Sequence, residues 1–583
     1  MIESVAENKH ESTTSHDKPV VGLLWGAFPW EECSRKVGQL LSMGAVGRTT
    51  TRALQTVGRV VPFVAPAPKE SAETRRASLE DFLRGIDVLF ADVYAGTGPA
   101  LELRHELGLH CPAVLFAGGA MPKGADAMLF PWQHLLRVGD GLWFTSQADR
   151  EIWRRLVRWS SLHEWVVPLA VDETLFRPRA RSEQVAARAR HGLPISAPLL
   201  VAVGRLNIQK NLHSLLHLLG AVRRHVPDAH LCFVGEGDDT GLHEFGVLNT
   251  GYVEWLRGQV TALGLAQAVT FLGLQFGEAL AQINAAADVL VSASLYHREN
   301  FGLAPAEAQA CGVPVVCSAW NGFKDVVRDG ETGFLMDTVL TRHGVRVDWA
   351  TGADRVVALL SNPERRATMG SAAATWARER FSIDALAQAL GTVIGEAGSA
   401  PADTRHTTGG SHHQLAFDRT SAYEPSGFAR RYEAHKRACG WYGDTPEARQ
   451  AGAPRMFQGR DDQLYVHLMQ PFTSRVAMRL THGEMEPQWV PYFPSPVELD
   501  PVRQVVEDCD PIWPHRRFCR PLEWAVLQRI DGVTPVESIA STVTEELPDA
   551  NRDSVIATLR QLHREGFLLF RQLERLTIAA EQD

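Results

Sequence analysis

No stretch of this 583-residue sequence approaches the ~20 consecutive apolar residues needed to span a bilayer, so a lipid-linked substrate would have to be met at a membrane surface. The first eighteen residues, MIESVAENKHESTTSHDK, lack the apolar core of a signal peptide and are expected to be disordered. Charge of one sign is also scarce. The net charge of -9 arises from 59 Lys+Arg against 68 Asp+Glu without long single-sign runs, which argues against nucleic acid or an anionic membrane as the main partner. The eight cysteines include no CxxC pair, so neither a zinc site nor a disulfide framework is implied, and a cytoplasmic location fits best. Residues 1–400 contain no DxD triplet, so a metal-bridged diphosphate site is not expected; DCD at 508–510 reads as a loop.

What is present is the ordinary composition of a globular protein, 45% apolar and 22% charged, in a chain long enough for about three or four domains. From Val20 onward, short apolar runs (VVGLLW, VVPFV, IDVLFADV, AVLFAGG, GLWFTS) alternate with amphipathic segments, the first of them predicted as a helix over 31–43. This pattern predicts βα units around a parallel sheet. A second series follows Pro198: LLVAVG, a helix near 212–225, HLCFVG, VTFLG, ADVLVSAS and VPVVCS. The predicted fold is therefore α/β, with two Rossmann-like domains, over 19–170 and 171–397, facing a cleft. A helical segment over 371–397 closes the second domain, and the Gly-, Ser-, Thr- and His-rich stretch 398–416 reads as a linker whose His412–His413 pair is solvated. Residues 417–510 are Pro- and aromatic-rich and carry no readable function, apart from a hairpin expected between QLYVHLM and SRVAMRL. Residues 511–583 read as three short helices and a strand, a small winged-helix module.

Two strings carry chemistry. In RENFGLAPAEAQACGVPVV (298–316), Glu299 and Glu307 flank a glycine-containing loop that opens a helix; such a loop turns backbone amides and the positive end of the helix toward an anion. In VAVGRLNIQKN (201–211), a strand ends at Gly204, where a ligand can approach the backbone, and Arg205 and Lys210 follow as two cations able to neutralise a leaving diphosphate.

Together these strings resemble glycosyltransferase family 4, which has a paired-glutamate motif and a G-R-x4-K element on a GT-B fold. Weaker likenesses appear in the family's order at CFVGEGDD, VTFLG, ADVLVSAS and DGETGFL. The resemblance implies a retaining hexosyltransferase that uses a UDP- or GDP-sugar as co-substrate and no cofactor. It implies catalytic roles for Arg205, Lys210 and Glu299, diphosphate contacts from the amides near Asn300, Phe301, Gly302 and Leu303, and ribose contacts from Glu307. Gly204 and the glycine turn at Gly26 would lie against the donor. The leaving phosphate would itself accept the acceptor's proton, so no dedicated base is expected.

The sequence departs from the family in one place that matters. The strand that often ends in a donor-contacting histidine or aspartate here reads AVLFAGGAMP, and Ala117, Gly118 and Gly119 supply no such group; either a loop residue such as His134 substitutes, the donor is held differently, or activity is low. A stretch at 239–251 is longer than the turn expected there. The acceptor is a small natural product, a peptide or a glycan, or a sugar phosphate if the chain is a sugar-phosphate synthase. PLEWAVLQRIDGVTPVESIA with LHREGFLLF resembles PqqD-like winged-helix modules, which implies a leader peptide or partner protein bound by strand addition. From 511 to 583 acidic residues outnumber basic ones, which disfavours DNA. The rival reading is a catalytically weak glycosyltransferase-like protein that recruits a partner through this module.

Overall fold

The structure, a computed structural model, describes residues 18–24, 37–64, 66, 70–93, 97–118, 135–156, 162–237, 251–296, 299–342, 344–399, 466, 469–477, 485–511 and 515–572. The first series of apolar runs forms β1 (Val20–Leu24), β2 (Arg59–Pro62), β3 (Val88–Asp92), β4 (Ala113–Phe116), β5 (Gly141–Phe144) and β6 (His163–Val166). They pair in parallel in the order β2-β1-β3-β4-β5-β6. β3, β4 and β5 are buried along their whole length because helices cover both faces of a parallel sheet, which is why they read as continuous apolar runs without alternation. The helices are α1 (Val37–Val57), α2 (Ala72–Arg84), α3 (Thr97–Glu106) and α4 (Gln147–Leu156). α1 ends later than the predicted 31–43, of which 31–36 lie outside the described residues; its interior TTTRALQTV buries Ala53 and Leu54 and so extends the helix past GAVGR.

The second series gives β7 (Leu199–Val203), β8 (His230–Val234), β9 (Val269–Gly273), β10 (Val289–Ser292), β11 (Val315–Ser318) and β12 (Gly333–Met336), parallel in the order β12-β11-β10-β7-β8-β9. Around it lie α5 (Arg181–Arg190), α6 (Leu212–Arg223), α7 (Tyr252–Ala262), α8 (Gly277–Ala286), α9 (Leu303–Ala310), α10 (Phe323–Val326) and α11 (Trp349–Ser361). The two facing Rossmann-like sheets expected from the sequence are thus present. The single closing helix expected over 371–397 is two, α12 (Pro363–Phe381) and α13 (Ile383–Gly398). Ser382 breaks the run by accepting a hydrogen bond from the Ala385 amide as the cap of α13. The break lets α13 cross to the first domain, where Gly391 faces Val57 of α1 and Glu396 accepts from Trp165 Nε1 at 2.7 Å.

A hairpin of β13 (Thr338–Thr341) and β14 (Gly344–Val347) leaves the second domain after β12. β15 (Arg475–Val476) runs parallel to β13. The hairpin expected for SRVAMRL with QLYVHLM is replaced by this pairing, since the edge of β13 offers the backbone partners; most of QLYVHLM lies outside the described residues. Beyond it, β16 (Trp489–Tyr492) pairs antiparallel with β20 (Leu569–Gln572), while β17 (Val497–Asp500), β18 (Val505–Asp508) and β19 (His515–Phe518) form a separate antiparallel sheet. α14 (Pro521–Leu527), α15 (Val536–Glu546) and α16 (Arg552–Glu565) complete the module around a core that includes Met485, Val506, Val526, Leu559 and Phe567. The line drawn at 510/511 falls inside the β17-β18-β19 sheet, whose charged, proline-containing sequence hides its strands.

The module is seated on the β13–β14 hairpin. Buried Arg346 donates to Asp508 at 2.8 Å and to the Gly566 carbonyl, and Tyr492 Oη donates to buried Asp348 at 2.6 Å. The buried carboxylates of Asp508 and Asp348 thereby each accept from a donor, as burial of charge requires.

Candidate functional site

The order of the second sheet sets where loops converge. β7 and β10 are neighbours, yet the chain proceeds from β7 to β8 on one side and from β10 to β11 on the other. Loops leaving the carboxyl ends of such a pair diverge and open a crevice. Gly204 and Arg205 leave β7, followed by a single 3-10 turn, Ile208–Lys210; Ser294, Tyr296 and Glu299 leave β10.

Glycine is required at the mouth. Gly204 has φ +148° and Gly235, after β8, has φ +150°; a Cβ on Gly235 would lie 1.9 Å from the Gly204 carbonyl oxygen. The 3-10 turn is held by Asn207, whose side chain accepts from the Lys210 amide at 3.1 Å, and it is joined to the β10 loop by the Leu295 amide donating to Gln209 O at 2.9 Å. Lys210 thereby points its ammonium at Glu299, with which it forms an ion pair. Ser294 Oγ donates to the same Glu299 oxygen at 2.8 Å. The ring of Tyr296 lies under both cations, 4.9 Å from the Arg205 guanidinium carbon and 5.2 Å from the Lys210 ammonium. Arg205 and Lys210 thus share one aromatic ring, and Glu299, 89 residues further along the chain, joins them through its ion pair with Lys210. The Lys210 and Glu299 side chains are 16% and 14% exposed, so this charge is partly desolvated but reachable.

Glu299 leads into α9. Gly302 caps that helix with φ +105°, and a Cβ there would be 2.5 Å from the Phe323 ring, so only glycine fits. Phe301 is buried against Phe381 at 5.3 Å, and Leu303 is the first helical residue; their main chain, at the helix start, carries the amides a diphosphate could use. Asn300 turns its side chain to the first domain, donating to Thr145 Oγ1 at 2.7 Å, while Thr145 Oγ1 donates back to Asn300 O at 3.1 Å. Glu307 sits on a separate element, the second turn of α9; burial pushes its carboxyl up to about 8, so it is largely protonated near neutrality.

The departure at AVLFAGG has a packing explanation. A Cβ on Gly118 would be 2.8 Å from Asn300 Nδ2 and 2.8 Å from Thr145 Cγ2. A histidine or aspartate there would displace the Asn300–Thr145 contact. Gly26, Gly119, His134, the 412–413 pair and most of the 239–251 stretch lie outside the described residues. Sequence reasoning missed Ser294, Tyr296, Thr145 and Gly235. Ser294 and Gly235 lie within strings already singled out, ADVLVSAS and CFVGEGDD, but nothing local marks them. A separate surface cavity of about 570 Å³, bounded by Arg328, Thr375 and Trp376, includes neither Lys210 nor Glu299.

Residues 184–376 match the family model described as glycosyl transferases group 1. The chain is 34% identical over 286 residues to a D-inositol 3-phosphate glycosyltransferase of Segniliparus rotundus, covering 48% of this chain and 56% of that protein. It is 34% identical over 224 residues to a GDP-mannose-dependent alpha-(1-6)-phosphatidylinositol monomannoside mannosyltransferase of Mycolicibacterium smegmatis, covering 37% of this chain and 52% of that protein. The chain spans about half the length of the curated relatives it matches. A glycosyltransferase structure from Rickettsia africae superimposes with a TM-score of 0.50 at 12% identity, over 66% of this chain and 99% of that one, a likeness of fold.

Proposed function

We propose that the chain is a retaining glycosyltransferase that moves a hexose-type unit from a nucleotide-diphosphate sugar to an acceptor held by the first domain. The observation that carries this reading is that Arg205 and Lys210 lie on the Tyr296 ring, with Glu299 paired to Lys210, at the divergence of β7 and β10. An arriving diphosphate competes with Glu299 for Lys210, and so frees Glu299 to accept hydrogen bonds from the hexose. Charge grows on the leaving diphosphate as the glycosidic bond breaks, so cations fixed before the reaction lower the barrier and do more than bind. The leaving phosphate then takes the acceptor's proton on the same face. A protonated Glu307 can both donate to and accept from ribose hydroxyls. The relatives' names, one specifying GDP-mannose, support a nucleotide-sugar donor.

The partner proposed for the C-terminal module is a peptide or protein, on the strength of its β-sheet and three helices; its seat on the β13–β14 hairpin holds it to the donor side. A panel of UDP- and GDP-sugars, incubated with the full chain and followed for release of UDP or GDP, tests the proposal: release from at least one donor, abolished in Lys210→Ala, is expected. Tight nucleotide binding without release from any donor would favour the catalytically weak binding protein, a reading that Gly118, with no room for a catalytic side chain, keeps open.

A further inference from the structure

Between β11 and β12 the chain makes one short turn, Trp320–Val326, that touches three bodies at once. Toward the donor loop, the Gly322 amide donates to Glu299 O at 3.0 Å and Trp320 Nε1 donates to Tyr296 O at 2.9 Å. The fit is close, because a Cβ on Gly322 would lie 2.3 Å from Asn300 O. Toward the first domain, Asp325 Oδ2 accepts from the Gln147 amide at 2.6 Å, capping α4 from across the cleft. Toward the segment that follows the 398–416 stretch, the Asn321 amide donates to Phe472 O at 2.9 Å, and Lys324 Nζ donates to Pro471 O at 2.5 Å and Thr473 O at 3.3 Å. The Phe472 ring, fully buried, packs against Trp320 with centroids 5.1 Å apart and planes tilted by 31°. Segment 469–477 continues into β15 on the same β13 strand whose hairpin seats the C-terminal module.

We propose that this turn is a three-way brace, through which segment 469–477 holds the donor loop and the acceptor-side helix α4 in register; Phe472 and Lys324 are positioning residues for the transfer. The inference rests on the function proposed above but is tested apart from it. A buried ring and an ammonium that satisfies two carbonyls cannot be removed without freeing the turn, and the turn cannot move without moving both Glu299 and the α4 cap. The region after the linker is then part of the site's frame, and a partner on the module can act on the cleft through bonded structure.

The experiment is hydrogen exchange of the full chain, read at the amides of 147–150, in Phe472→Ala, Phe472→Leu and Lys324→Met. Phe472 lies on segment 469–477 and α4 belongs to the first domain. Exchange about tenfold faster at 147–150 in Phe472→Ala and Lys324→Met, with recovery in the volume-conserving Phe472→Leu, is expected. Faster exchange confined to 469–477 would overturn the brace, and Lys324→Met decides the matter if Phe472→Ala does not fold. In parallel, kcat with the accepted donor should fall about tenfold with donor KM nearly unchanged, since misplacement costs rate before binding. A chain that turns over no donor sinks the proposed function and leaves the exchange result standing.

Discussion

Two ion pairs, one in each Rossmann-like domain, show how differently the same chemistry is used. Arg104 of α3 and Asp140, just before β5, are 0% and 1% exposed and meet through two 2.8 Å bonds. Asp140 also accepts from the Ala113 and Arg137 amides at 2.7 and 2.8 Å, and Arg104 donates to the Cys111 and Leu135 carbonyls. Those carboxylate oxygens and terminal guanidinium nitrogens are committed to the fold. Lys210 and Glu299 are 16% and 14% exposed; among the described residues, Ser294 Oγ also donates to Glu299, and the Lys210 ammonium also lies over the Tyr296 ring. A pair saturated by backbone holds strands and loops in place; a pair with spare valence at a crevice can trade partners with a ligand.

The largest expected effect separates the two pairs directly. Asp140→Ala leaves a buried guanidinium uncompensated and should cost about 3–5 kcal/mol, read as a lower urea midpoint; a loss under about 1 kcal/mol would erase the distinction. Lys210→Ala should reduce kcat by about 10²–10³-fold while the urea midpoint stays near that of the parent. A variant that keeps its turnover but unfolds early would make Lys210 a second Arg104.

Glu307 sharpens the comparison at a third carboxyl, one that burial keeps protonated instead of paired. Its folded value of about 8 lies above its usual 4.5, so the folded state binds the proton more tightly. Its contribution to stability is complete below about 4.5 and is lost as pH rises through about 8. Melting temperature in Glu307→Gln should therefore fall less than in the parent between pH 6 and 9; parallel curves would mean that the carboxyl is already ionised when folded. Donor KM should rise in Glu307→Ala if the ribose role holds, and stay near the parent's in Glu307→Gln, whose amide both donates and accepts as the protonated carboxyl does. The smallest effect belongs to Arg552 and Glu537, a half-exposed pair 2.8 Å apart on the module, whose double alanine variant should leave the urea midpoint unmoved.

Much of the crevice at the divergence of β7 and β10 could be read directly, because its charged groups are packed into two short strings. Gly204, Arg205 and Lys210 fall within one strand-to-helix connection, and Glu299 to Glu307 within the next loop and helix. The first domain was harder. Thr145 is an ordinary threonine after GLWF, and its bond to Asn300 spans 155 residues. Gly118 looked like a lost catalytic position, whereas in the fold it is the space into which Asn300 fits. Arg104 and Asp140 carried no motif at all. β17, β18 and β19 escaped notice because VELD, VVED and HRRF are short and charged, the usual composition of loops.

What the sequence alone determined is the alternation of buried parallel strands with helices and the cations, carboxyls and glycines placed on two strand-to-helix connections; both follow from local rules, hydrophobic period and the geometry of strand-to-helix loops. Tertiary structure alone decided which groups share a partner: that Lys210 faces Glu299 across 89 residues, that Asp325 caps a helix of the other domain, and that Phe472 packs under Trp320. Such contacts depend on strand order and on where each loop leaves its sheet, and a hydrogen bond or a ring contact leaves no periodic trace in the chain that makes it.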